Sequence, residues 1–328
     1  MKNIRFIIVL FLFVTNTNSL LAQEGKVELY VEDLSKISEQ KLLERQLLEK
    51  QLLTGKLELN GIKNFPLDNI YNINKNIKSL TIENSFELKN LSEEVKKFKS
   101  LEYISISKVS LTKFPIGFCD IDNLTFFSYD SNFTTIIPEE IGKLKNLKIL
   151  YLSRMPLKKV STAIATLGNL ERLSIDGTAS TYSMAGVIYK FDGIDYIPKE
   201  IGNLKSLKYL GLEKNNLEEI PKEIGLLNNL TVLALDYNNL KTLPMGIYNL
   251  QNLQNLLLSN NAFEYLPEDI GNLKSLKRLN LENNKLKFLP KSIENLKNLI
   301  RLNIKGNEIS EAKIIELKKK LPNTEIIY

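Results

Sequence analysis

Any chemistry in this chain has to proceed without imidazole. Its 328 residues include no histidine and a single cysteine, Cys119. That excludes Ser-His-Asp and Cys-His catalysis and any His-ligated metal, and it leaves no intrachain disulfide. No Gly-rich phosphate loop and no metal-spaced cluster occurs, so neither a cofactor nor a metal is expected. Cys119 stands four residues after Pro115, where comparable segments carry Gly142, Gly202 and Gly225, and it reads as a small, partly buried filler. What remains is a set of aromatic, acidic and cationic side chains recurring at a fixed interval. Their chemistry is recognition: rings bury area and carboxylates select basic groups.

The elements that must position them are set by repetition. LKYLGLEKN, LTVLALDYN, LQNLLLSNN, LKRLNLENN and LIRLNIKGN begin at Leu207, Leu230, Leu253, Leu276 and Leu299, each 23 residues after the last. Pro221, Pro244, Pro267 and Pro290 keep the same interval. A period of this length marks a solenoid, in which stacked units bury a core that none could bury alone. The LxxLxL spacing, followed after two intervening residues by Asn, resembles the leucine-rich repeat family in its 23-residue bacterial form. The resemblance implies an α/β horseshoe: a parallel concave sheet, short helical or 3₁₀ turns on the convex side, and caps at both ends. It also implies a binding role without catalysis.

Followed back to the start, the paired strand positions run from Leu57/Leu59 to Leu302/Ile304 and predict about eleven strands. The interval is 23 or 24 throughout, except for 37 between Leu173 and Leu210. Asn132, Asn215, Asn238, Asn261, Asn284 and Asn307 follow the strands, where an amide can satisfy turning backbone. Ser85 and Thr178 are weaker substitutes, and the ladder is expected to break at Val109 and Met155.

Strand alternation sends the variable residues to the concave side. They form an aromatic column in the first half beside small residues and an acidic column that includes Asp130. The candidate binding residues are Tyr103, Phe126, Tyr151, Arg172, Asp176, Tyr209, Glu213, Asp236 and Tyr237. The extra 14 residues of the long interval fall within 179–195 and carry Tyr182, Met184, Tyr189 and Phe191. Loops longer than a fold requires are commonly functional, and a hairpin over the concave mouth near Arg172, Asp176, Tyr209 and Glu213 is expected.

The ends complete the plan. Residues 1–22 show the basic, apolar and small-residue regions of a secretory signal, with cleavage expected after Ala22. The apolar run is too short to span a bilayer, so no integral membrane segment is expected after cleavage. Residues 23–55 read as a strand and helix capping the core, 56–309 as the array, and 310–328 as a closing helix and strand. The formal charge of +6 is modest and lysine is spread through the repeats, which argues against a nucleic-acid partner. Abundant Lys, Asn and Ile point to an AT-rich bacterial genome. The expected function is protein or peptide binding at the bacterial envelope or exterior, to a partner with basic groups. Glycan binding, or a structural subunit docking through the amino-terminal cap, are the alternatives.

Overall fold

The computed structural model describes residues 54–62, 76–91, 93–179, 181–184 and 187–328. The expected signal segment and nearly all of the expected amino-terminal cap lie outside them. Eleven repeat strands form one sheet: β1 (Lys56–Asn60), β2 (Ser79–Glu83), β3 (Tyr103–Ser107), β4 (Phe126–Asp130), β5 (Ile149–Ser153), β6 (Arg172–Ser174), then β9 (Tyr209–Gly211), β10 (Val232–Ala234), β11 (Asn255–Leu257), β12 (Arg278–Asn280) and β13 (Arg301–Asn303). The expected closing helix is α1 (Glu311–Lys320), and β14 (Glu325–Ile327) adds a twelfth parallel strand beside β13. Each strand pairs with the next repeat in register, as in Leu210↔Leu233↔Leu256. Between β6 and β9 the extra residues form an antiparallel hairpin, β7 (Thr181–Met184) with β8 (Val187–Lys190).

Each repeat folds this way for three local reasons. First, the two strand leucines point inward and stack in rows, with Leu173, Leu210, Leu233 and Leu256 fully buried. Burying one such side chain is worth about 1.5–3 kcal/mol. Second, the residue two after the strand pair adopts a left-handed conformation in every repeat. Gly61, Asn84, Lys108, Ser131, Arg154, Gly177, Lys214, Tyr237, Asn260, Asn283 and Gly306 all have φ between 47 and 72°. This turns the chain off the sheet, and it holds even a tyrosine in a region that bulky side chains rarely occupy. Third, proline fixes φ where the return path begins, and a 3₁₀ turn follows, such as Lys222–Leu226 after Pro221 at φ −67°.

The asparagines bind the turns together. Asn238 donates from Nδ2 to the carbonyls of Leu235 (3.0 Å) and Leu212 (2.9 Å), and its Oδ1 accepts from the Leu217 amide (3.1 Å). One side chain therefore serves two repeats. Val109 and Met155 fill the same position as fully buried apolar groups, so the ladder breaks where the sequence predicts. Asn132 lies between them, and its buried Oδ1 makes no hydrogen bond. Thr178 continues the ladder by donating to Asn215, and it accepts from the Ile194 amide at 3.0 Å, which ties the end of the insertion to the sixth repeat. The core of the irregular half holds an aromatic cluster: Phe114 and Phe118 pack edge-on against Phe127, and the buried Tyr129 hydroxyl bonds Thr134 at 2.7 Å. Cys119 is fully buried rather than partly so.

Candidate functional site

The concave positions come together as one connected surface on five adjacent strands. Tyr103 on β3 and Phe126 on β4 stack at 4.2 Å with 11° between their planes. Phe126 meets Tyr151 on β5 edge-on at 5.7 Å. The Tyr151 hydroxyl accepts from Nε of Arg172 at 3.0 Å, and the Arg172 guanidinium lies 4.2 Å from the ring centre of Tyr209 on β9. Parallel pairing about 4.8 Å apart makes this possible, because it sets equivalent side chains of successive repeats side by side. Tyr103 remains exposed, and the others are half-buried by one another. These packed rings form a rigid apolar ledge that loses little rotamer freedom when covered.

Beside the ledge runs a groove of about 660 Å³. Small hydroxyl side chains form its floor (Ser105, Ser128, Ser153 and Ser174), and Arg154, Asp176, Tyr209 and Lys214 stand around it. Thr181, at the base of the hairpin, reaches its wall. The insertion thus borders the concave groove. Tyr182 and Tyr189 are paired in the hairpin register, but the side chains of Tyr182, Met184 and Tyr189 lie outside those described. Phe191 is a correction. It is 8% exposed, so it holds the base of the hairpin down and is not available as a surface anchor.

The acidic column divides into two kinds of carboxylate. Asp176 lines the groove and Glu213 lies beside Tyr209 next to it, both half-exposed, and Asp176 accepts from the Ser174 hydroxyl. Asp130 and Asp236, expected to select basic groups, are buried and already engaged. Arg154 grips Asp130 through Nε (2.9 Å) and Nη2 (2.6 Å), and Ser131 and Ser107 donate to it as well. Asp236 accepts from the Ser259 amide at 2.7 Å and from the Ser259 hydroxyl. Burial raises its pKa, and the Ser259 hydrogen bonds oppose that shift. The residue type indicated a free carboxylate, but the following repeat supplies the partner, and spacing alone does not reveal it.

Glu213 is unlike the rest. Its Oε2 is buried without a hydrogen bond, and burial, with Asp176 and Asp236 adding repulsion, pushes its carboxyl up to about 7. Burial likewise raises the Tyr209 phenol to about 12, with Glu213 adding to the shift. Gly211 makes the arrangement possible, since a Cβ there would lie 2.9 Å from both Glu213 Oε2 and the Tyr209 hydroxyl. Tyr237 is 52% exposed at its left-handed turn, with the Lys214 ammonium 5.7 Å from its ring centre. Lys214 lines the groove as well, a cation that the strand spacing does not single out. It occupies a turn position, and only the left-handed backbone brings it back to the rim.

Among the described residues no group of His, Cys, Asp or Glu side chains is placed to hold a metal ion, and no helix is long and apolar enough to cross a membrane. Residues 194–263 match a leucine-rich repeat region and residues 251–309 a leucine rich repeat. No curated protein matches the sequence. Among solved structures, the chain is similar to an internalin of Listeria monocytogenes, at 18% identity over 85% of this chain and 82% of that one, with a TM-score of 0.67. It is also similar to the leucine-rich repeat ectodomain of an Arabidopsis thaliana membrane receptor kinase, at 28% identity, 67% and 26% coverage and a TM-score of 0.55. A leucine-rich repeat protein of Leptospira interrogans is 27% identical over 86% of this chain and 98% of that one, with a TM-score of 0.43. With its single parallel sheet, 3₁₀ turns and repeat matches over 194–309, the chain is folded as a leucine-rich repeat solenoid.

Proposed function

We propose that this protein binds a protein or peptide, without catalysis, on the concave face between β3 and β9, with the 179–195 hairpin as one wall. The observation that carries the reading is the unbroken chain of contacts Tyr103–Phe126–Tyr151–Arg172–Tyr209. Packed aromatic and arginine side chains of this kind are typical interface anchors. The Arabidopsis ectodomain, which shares the fold, was solved in complex with Casparian strip integrity factor 2. Asp176 and Glu213, with the exposed Glu83 at the groove, select basic groups on the partner. The protein acts outside the bacterial cell or in its envelope, after cleavage near Ala22.

Affinity capture with the mature chain tests this reading, repeated with Tyr209→Ala and with residues 180–192 replaced by a short Gly-Ser link. Tyr209→Ala is expected to weaken partner binding about tenfold, in line with loss of a single anchor. If the captured partners and their affinities are the same for all three proteins, the concave site is wrong.

The serine floor favours a second reading, a glycan held by hydroxyl hydrogen bonds against the aromatic ledge. Salt separates the two. Charge-selected protein binding weakens as ionic strength rises, whereas stacking on a sugar does not.

A further inference from the structure

The carboxy-terminal end carries most of the formal charge. Residues 285–328 hold ten Lys and Arg against five Glu, a net of +5, while the remaining 284 residues hold 34 against 33, a net of +1. The concave groove does not use this charge, because it lies on the last repeat and on α1.

Here α1 fails to close over the final repeat. Of its apolar residues only Ile314 and Leu317 are buried, and a cleft of about 310 Å³ remains between the helix and the turn that precedes Pro290. Phe288 and Ile309 line its apolar side, and Phe288 is still 48% exposed. Lys291, Lys313 and Lys320 line it too, with Glu294 and Glu316. Glu294 is taken up by Lys320 at 3.5 Å. Lys313 lies 5.4 Å from the Phe288 ring centre and donates to the Lys287 carbonyl at 3.3 Å, and it forms no ion pair among the described residues. Lys318 and Lys319 extend the basic edge at the end of the helix. Single exposed apolar groups are ordinary on a protein surface. A half-exposed aromatic at the mouth of a cleft lined by three lysines and two glutamates, in a stretch of net positive charge, is a more specific feature.

We propose that this cleft is a second binding site, for an acidic peptide segment that inserts one large apolar side chain against Phe288 and sets its carboxylates on Lys291 and Lys313. The volume suits one or two side chains and excludes a folded domain. The sign of the charge selects an acidic sequence, and the apolar wall requires more than charge alone. The site is independent of the concave groove, so either can fail while the other stands.

The test follows amide chemical shifts of the ¹⁵N-labelled mature protein during titration with an acetylated, amidated peptide of four glutamates flanking one phenylalanine. Matched probes are the same peptide with alanine for phenylalanine, its lysine counterpart, and vesicles containing anionic lipid. Shifts are expected at residues 288–294 and 309–317. The affinity should fall about tenfold in Lys291→Glu/Lys313→Glu and at high salt, and at least threefold for the alanine peptide, while Tyr209→Ala leaves it unchanged. Both lysines are exposed, and an unchanged thermal midpoint verifies folding of the double variant. The proposal is overturned if the phenylalanine peptide does not bind, if the double variant binds it equally well, or if the alanine or lysine peptide binds as tightly. Binding of the vesicles alone also overturns it and assigns the surface to lipid.

Discussion

Arg172 and Tyr209 are 37 residues apart in sequence, yet the guanidinium of one lies 4.2 Å from the ring centre of the other. The hairpin leaves the array between them, and β6 still pairs directly with β9. The contact therefore closes the interval that the insertion opens. A double-mutant cycle of Arg172→Ala and Tyr209→Ala should show a coupling of about 0.5–1 kcal/mol in chemical denaturation. Strict additivity would mean that the two side chains do not support each other.

Glu213 makes stability depend on pH. Its carboxyl sits at about 7 in the folded chain against an ordinary value of 4.5, so the folded state binds more protons than the unfolded state between those values. Stability accordingly falls as pH rises from about 4.5 to about 7, and the loss is complete above that range. With partial solvent screening the loss is on the order of 1–2 kcal/mol. Glu213→Gln should flatten this slope and raise the thermal midpoint at pH 8. An unchanged slope would show that other groups set it.

Arg154 and Asp130 form the most buried ion pair among the described residues, with the Asp130 side chain 10% exposed. Arg154→Ala leaves that carboxylate unpaired and is expected to destabilise the chain by about 1–3 kcal/mol. Adding Asp130→Asn removes the stranded charge and should recover part of the loss in urea denaturation. A double variant no more stable than Arg154→Ala would disprove this account.

Asn238 supports backbone groups of two repeats, so Asn238→Leu strands buried carbonyls and an amide. A loss of about 2–4 kcal/mol is expected in the denaturant midpoint. Val109→Leu, at the equivalent position of an apolar repeat, should cost far less. Equal losses would mean that volume and not hydrogen bonding decides.

Cys119 gives a chemical readout of unfolding. Its burial, with Asp120 and Glu140 adding repulsion, pushes the thiol up to about 12, so no thiolate is present near neutral pH. Ellman's reagent should react with it only in denaturant. Fast reaction of the native chain would show that the convex turn opens.

Much of this arrangement is readable in the sequence because the physics is one-dimensional. A fixed spacing of leucines sets the strand register, and register sets which residues face the concave side. Tyr103, Phe126 and Tyr209 therefore fall on one surface by counting alone. The breaks at Val109 and Met155 are equally readable, since neither side chain can accept or donate as asparagine does.

Other features depend on the neighbouring repeat. Asp130 and Glu213 occupy the same column, yet Arg154 reaches back to neutralise one while Gly211 makes room for the other beside Tyr209, with its Oε2 buried and unbonded. Phe191 reads as an exposed aromatic in an insertion but folds inward. Lys214 reads as a turn residue, and its left-handed backbone brings it to the groove. The sequence by itself determined the solenoid, the strand register and the face on which the variable residues lie, because each follows from local periodicity. Only the tertiary structure decided which carboxylates are spent and which are left for a partner. That depends on side chains brought together across repeats, at distances that spacing along the chain does not encode.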